Sequence, residues 1–413
     1  MMELVGRRLF WRVRSCGPSI AGRENCEEQC EGDQQMPRLS LNLLVLNGES
    51  CLGRMLNSVN GALDELVVVD TGSTDRTPEI LTEFVLGQKQ LVRYRYHRLE
   101  PKDSAFFDDC SGERELPNLA YTGRRMLADW AFARNVALAD TTADYVLKLD
   151  ADDELWVREP SSCLSRLCDY LDEHLSVRFV SSAYDIMDQG AYDSRWPCVR
   201  LWRRGSESSW RQPMHEYLSG KTGSNTLDVP LTLLTRDWKD SKGDGVRVPY
   251  RNFKVLEHHR LAHPEVMDLR SPASVRFAFT WATEAAELLP VRARQVLERL
   301  VPLLHPADTG FTADVHYQLG RTHEVEGNAS SAAECYKLAE SRVKKLHVPS
   351  LIRLVRMLDT AELRENNHRV LKLARSKLMS VYASEIPVGC DLRAYAAITG
   401  RTVPFPVDWR DYT

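Results

Sequence analysis

Apolar positions along this chain follow two rhythms. In the first half they come as short runs of strand length: RLSLNLLVL (38–46), ELVVVD (65–70), LVRYRYH (91–97) and DYVLKLD (144–150). Such runs, continuous or alternating and bounded by turn-formers, predict buried strands. Between them, the stretch opening at Thr77-Pro78 and RRMLADWAFARNVALAD (124–140) repeat apolar residues at helical spacing. Thr77 is expected as the N-cap, with Pro78 at the first helical position. Strand, helix, strand, helix, strand predicts a mostly parallel sheet covered on both faces. The Val/Leu-rich runs agree, because parallel strands are buried on both sides.

Past Pro160, SCLSRLCDYLDEHL (162–175) has the spacing of an amphipathic helix, and VRFVSSAY (177–184) and CVRLWRR (198–204) are strand-like. From about Arg251 the pattern turns helical. Within 311–342, Tyr317-Gln318-Leu319-Gly320, a stop at Gly327, and Ala332-Ala333 with Tyr336 fit a paired-helix repeat of tetratricopeptide kind. Residues 1–36, with the polar GRENCEEQCEGDQQ, predict a disordered or loosely attached segment. The polar stretch 101–123 predicts an inserted loop.

A chain of 413 residues has room for two cores, and its formal charge of −4 gives no basic surface for nucleic acid. Ten cysteines are scattered without CxxC pairs, so neither a zinc site nor a disulfide framework is expected. No apolar stretch approaches the ~20 residues of a membrane span. Charges interrupt the opening MMELVGRRLFWRVRSC, which argues against a signal peptide. The expectation is a cytoplasmic protein with reduced thiols and no membrane contact.

The candidate chemistry starts at YVLKLDADDELW (145–156), where a buried run surfaces into Asp150, Asp152, Asp153 and Glu154. In open α/β sheets ligands bind beyond the carboxyl ends of strands, so Asp70 and Asp150 are expected to face one crevice. Clustered carboxylates suit a hard divalent cation, Mg²⁺ or Mn²⁺. The same acids also fit a solvated turn that caps the next helix. No G-x-x-x-x-G-K loop is present, which argues against a P-loop enzyme. His258, His259 and His263 in EHHRLAHP include an i, i+4 pair but no evident third ligand, so a helix-end or packing role is expected. Trp196, Trp202 and Trp210 are expected in core or cleft wall.

LLVLNGES, ELVVVDTGSTDRTPEI, AFARNVALA, YVLKLDADDEL, VRLWRR and PMHEYL, in that order and spacing, resemble family 2 glycosyltransferases of the GT-A fold over roughly 38–220. The nearer resemblance is to a subgroup with a helical, tetratricopeptide-like extension, close to bacterial enzymes that glycosylate peptides, S-glycosyltransferases included. It implies an α/β, Rossmann-like, mostly parallel GT-A domain at 37–245, an all-helical domain at 246–400 and a tail at 401–413. It also implies inverting, metal-dependent transfer from a nucleotide-sugar, read as a UDP-sugar, to a peptide or protein acceptor. A glycan or small-molecule acceptor is the alternative, and a binding protein with a relic α/β half is the rival class. Self-association through the helical domain is a further expectation.

By position, the resemblance puts Asn47 and Asp70 at the nucleoside and Arg134 near the nucleotide. Asp150 falls at the ribose and metal-bound water, Asp152 at the metal, His215 at the metal or diphosphate, and Glu216 at the acceptor as general base. Two departures stand out. Leu46-Asn47-Gly48-Glu49 replaces the usual Lys-Asn-Glu-Glu, and Asp153 intervenes before Glu154.

Overall fold

A computed structural model of the chain describes residues 2–5, 8–11, 38–100, 106–108, 125–155, 157, 159–175, 177–181, 184–187, 199–205, 208–219, 224–226, 234–237, 247–305, 308–343, 347–359, 368–380 and 392–401. Its strands in chain order are β1 (Met2–Val5), β2 (Arg8–Trp11), β3 (Leu39–Val45), β4 (Glu65–Asp70), β5 (Arg93–Arg98), β6 (Phe106–Asp108), β7 (Arg125–Leu127) and β8 (Tyr145–Asp150). They continue with β9 (Asp153–Leu155), β10 (Val177–Ser181), β11 (Tyr184–Met187), β12 (Val199–Arg203), β13 (Ser209–Arg211), β14 (Tyr217–Ser219), β15 (Ser224–Thr226) and β16 (Leu234–Asp237). One sheet runs β15-β10-β12-β8-β3-β4-β5-β1-β2. Its centre, β8-β3-β4-β5, is parallel as the sequence predicts, and β12 joins β8 antiparallel. The N-terminal segment expected to be loose contributes β1 and β2, with β1 antiparallel to β5 at that edge. Most of the expected insert at 101–123, and Trp196, lie outside the described residues.

Every residue of β3 and β4 is buried, because both faces are covered. On one face Leu41, Leu43, Leu66, Val68, Leu147 and Leu149 pack under α1 (Leu52–Ser58), α2 (Thr77–Gly87) and α4 (Pro160–Glu173). On the other, Leu44, Val67 and Val69 meet Ala133 and Ala137 of α3 (Trp130–Asp140).

Two helix starts differ from expectation. In α2 the N-cap is Arg76, and Thr77 is already helical. The Thr77 hydroxyl is engaged elsewhere: it donates to Asp75 Oδ1 at 2.6 Å and accepts from the Gly48 amide at 2.8 Å. In α3 the apolar spacing over the described residues 125–129 does not make helix. Residues 125–127 pair with β6, and Asp129 starts the helix by accepting from the Phe132 amide at 2.9 Å.

The helical half runs through α5 (Arg247–Ala262), α6 (Pro272–Ala285), α7 (Pro290–Leu300), α8 (Thr309–Val325), α9 (Ala329–Arg342) and α10 (Val348–Leu358), then helices His368–Ser380 and Leu392–Thr399. The repeat-like pair is α8 with α9. A Cβ at Gly320 would stand 2.4 Å from the Tyr336 ring, so only glycine lets α9 approach this closely. Gly327 ends the turn between them at φ +78°. His259 packs by its ring on Phe277 and His263. Met214 of the α/β half is buried among Phe253, Phe277 and Trp281, with Met126 and Trp130 against them, so one core spans the two halves. No helix among the described residues is long and apolar enough to cross a membrane.

Candidate active site

Strand β3 has β4 on one side and β8 on the other, so the chain leaves it in opposite directions there. The carboxyl ends of such strands form the ligand crevice of an open sheet. Asp70 stands level with Val45, and Asp150 level with Leu44. Neighbouring positions on β3 point to opposite faces. The two acids therefore flank the same crevice from opposite sides of the sheet instead of facing each other.

Asp70 is fully buried on the α1/α2 side. Its Oδ1 accepts from the Gly72 and Ser73 amides at 2.9 and 2.7 Å, and its Oδ2 from the Tyr96 hydroxyl at 2.6 Å. It thereby shapes the turn that follows β4. Asn47 pins that turn to the loop after β3. Its Oδ1 accepts from the Thr74 amide and its own amide donates to Ser73 Oγ, both at 2.8 Å. Asn47 holds φ +51°, a left-handed value that asparagine tolerates better than most residues. A Cβ at Gly48 would lie 3.0 Å from Val45 Cγ2, which accounts for glycine at that departure.

On the α3 side, one guanidinium joins two candidate acids. Arg134, buried on α3, donates through Nη2 to Asp150 Oδ1 at 2.7 Å and through Nε to Glu216 Oε1. Lys148 Nζ adds a bond to Asp150 Oδ2 at 2.9 Å, and Trp210 lies under the guanidinium at 5.5 Å. Burial alone would push both carboxyls up. Lys148 and Arg134 outweigh it at Asp150 and hold that group well below the usual carboxylate range. Arg134 and Lys148 likewise hold Glu216 below its ordinary value. Asn135 locks the neighbouring strand, donating to the Trp210 carbonyl at 2.9 Å and accepting from its amide at 2.8 Å. Trp202 is core, in edge contact with Trp210.

Asp153, the residue that departs from the family pattern, has a structural task. Its Oδ2 accepts from the Asp150 amide at 2.8 Å and from Arg200 Nη1, on β12, at 2.5 Å. Both side chains are buried, and burial pushes the Asp153 carboxyl up to about 6 despite Arg200. The turn carrying Asp152 is thus fixed from beneath, with Asp152 itself half-buried at its top.

His215 and Glu216 lie in the segment between β13 and β14. His215 Nε2 meets Glu284 Oε1 of α6 at 2.5 Å, which leaves Nδ1 of the ring. Among the described residues no three His, Cys, Asp or Glu side chains gather as a metal cage, and Asp150 has both oxygens engaged by cations. A Mg²⁺-type ion, however, is bound through one or two carboxylates plus substrate phosphates. Asp152 at the crevice mouth fits that mode, and a protein-only cage does not fit.

Residues 41–100 match the family model described as Glycosyl transferase family 2. The chain is 31% identical over 181 residues to a TPR repeat-containing protein of Synechococcus elongatus, covering 44% of this chain and 35% of that one. It is 30% identical over 120 residues to an uncharacterized glycosyltransferase of Rickettsia typhi, covering 29% of this chain and 30% of that one. The matches therefore span about a third of the length of these curated relatives. Among solved structures, S. aureus TarS 1–349 in complex with UDP-GlcNAc aligns with 88% of this chain and 90% of its own at 14% identity and TM-score 0.36.

Proposed function

We propose, from the premise that the α/β half of this chain is a family 2 glycosyltransferase domain, that the protein transfers a sugar from a UDP-sugar to a peptide or protein acceptor. The observation that carries this reading is Arg134, which holds Glu216 beside Asp150 at the mouth of the crevice. The donor's nucleoside lies along the Asn47 and Asp70 loops, its ribose toward Asp150 and its diphosphate toward Asp152. Bound Mg²⁺ or Mn²⁺ supplies charge neutralisation to the leaving diphosphate there. Glu216 stands on the acceptor side as the group that takes the acceptor's proton. Attack from that side on the anomeric carbon, opposite the diphosphate, inverts its configuration.

The helical half supports the choice of acceptor. Stacked helix pairs of the α8–α9 kind build extended surfaces that suit polypeptide chains. The relative named as a TPR repeat-containing protein points the same way.

The test is incubation of the full chain with Mn²⁺, a panel of UDP-sugars and a peptide library, read by mass spectrometry. Peptides gaining the mass of one sugar bear the reading out. UDP release with glycan or small-molecule acceptors alone would replace the acceptor, and absence of UDP-sugar binding would end the reading.

A further inference from the structure

Helix α6 carries Arg276, Thr280 and Glu284 at intervals of four, hence along one edge. All three touch the segment that bears Glu216. Arg276 lies over the Tyr217 ring at 4.3 Å, Thr280 Oγ1 accepts from Gln212 Nε2 at 3.1 Å, and Glu284 Oε1 meets His215 Nε2 at 2.5 Å. Beneath them, Met214 is buried in the core built by α5 and α6. From the other side, the Trp130 amide donates to the Pro213 carbonyl at 2.9 Å and Arg134 grips Glu216.

The segment needs such holding. Gln212 at φ +76° and His215 at φ +56° are both in the left-handed region without being glycine. Conformations of that kind persist only where the surroundings over-determine them. His215 is 49% exposed, so packing does not fix it, whereas Glu284 is only 13% exposed and anchored on its helix. The Glu284 contact is therefore the restraint on the residue directly preceding Glu216.

We propose that Glu284 is the positioning residue for Glu216, acting through His215, so that the helical half completes the catalytic centre. This rests on the reading of Glu216 as the base. Glu284 accepts from Nε2–H of His215 and so selects one tautomer and one ring orientation. The ring holds the left-handed turn, and the turn delivers Glu216 to Arg134 at the crevice. The donor side, built on the Asn47 loop and on Asp150 and Asp152, has no part in this contact.

The test compares full-length Glu284→Ala and Glu284→Gln with wild type. Glu284→Ala is expected to lower kcat by about 10- to 100-fold, the order by which losing a ring-orienting partner acts at histidines that ligate metals, with UDP-sugar affinity and Tm unchanged. Glu284→Gln, whose amide oxygen still accepts from Nε2–H, recovers most of the rate. Ring ¹⁵N shifts of His215 are expected to report the Nε2–H form in wild type and Glu284→Gln, and a mixture in Glu284→Ala. Wild-type turnover in Glu284→Ala overturns the proposal. So does an equal loss in both variants that follows a drop in Tm, the mark of a merely structural role. If the wild type transfers no sugar at all, the reading of Glu216 fails. The ¹⁵N shifts still decide the Glu284 contact, because an unchanged tautomer in Glu284→Ala refutes it.

Discussion

The guanidinium of Arg134 lies 2.7 Å from Asp150 Oδ1, joining the helix over one face of the sheet to the end of its central strand. The same group also holds Glu216, a fork that a single ammonium does not reproduce. Arg134→Met leaves a half-buried Asp150 and a mostly buried Glu216 with less positive charge, and is expected to cost stability, by less than the ~3–5 kcal/mol of a fully buried pair because water still screens Asp150. Arg134→Lys should recover part of the stability but little turnover. Urea unfolding and UDP release check the two outcomes.

Asp153 and Arg200 form a second buried pair at 2.5 Å, and Asp153 also accepts from the Asp150 amide. Replacing either partner removes this contact between buried charges, so Asp153→Asn or Arg200→Met should each cost roughly 3–5 kcal/mol. The double variant is expected to lose less than the sum of the two. A urea double-mutant cycle reads this, and strict additivity would mean that the two side chains act independently.

The pH dependence follows from Glu216, whose carboxyl is held below its ordinary value of 4.5 by Arg134 and Lys148 against the effect of burial. A lowered folded value contributes stability that is present above the unfolded pKa and lost as pH falls through the folded one. The stability gap between wild type and Glu216→Gln should therefore be constant from about pH 8 to about pH 5 and shrink on further acidification. Thermal unfolding across that range measures it, and a gap that grows on acidification contradicts the ion pair.

In the helical half, Gly320→Ala drives a Cβ into the Tyr336 ring, 2.4 Å away. The expected loss is about 1–3 kcal/mol from overpacking, with partial recovery when Tyr336→Leu is added. An unchanged Tm in Gly320→Ala would contradict the close approach of α8 and α9.

The central strands were legible in the sequence because each is buried on both faces, which writes continuous Val/Leu runs at β3, β4 and β8. The acids at their ends are legible for the same reason: Asp70 and Asp150 stand where the apolar runs stop. Their opposite orientation was not, since it depends on cross-strand register, and a slip of one residue would have reversed it. In the sequence Asp153 only interrupts the motif, because its partner Arg200 lies 47 residues away. Glu284 carries no sequence signal for the same cause, standing 69 residues from His215. The sequence pattern starts helix α3 too early, because apolar spacing runs through 124–129, and only the cap at Asp129 marks the true start. The boundary near 245 separates sheet from helices in sequence, yet Met214 and Phe253 share one core across it.

The most direct test of the account is the division of roles between Asp152 and Glu216, measured as UDP-sugar affinity by calorimetry with Mn²⁺ and as turnover by UDP release. Asp152→Asn removes negative charge at the diphosphate end and should weaken donor binding sharply. Glu216→Gln should bind donor as wild type does, while turnover on a hydroxyl acceptor falls by roughly 10²- to 10⁴-fold. The loss should be smaller on a thiol, which is partly ionised near neutral pH. Wild-type turnover by Glu216→Gln on a hydroxyl acceptor, or unaltered donor affinity in Asp152→Asn, would contradict the account.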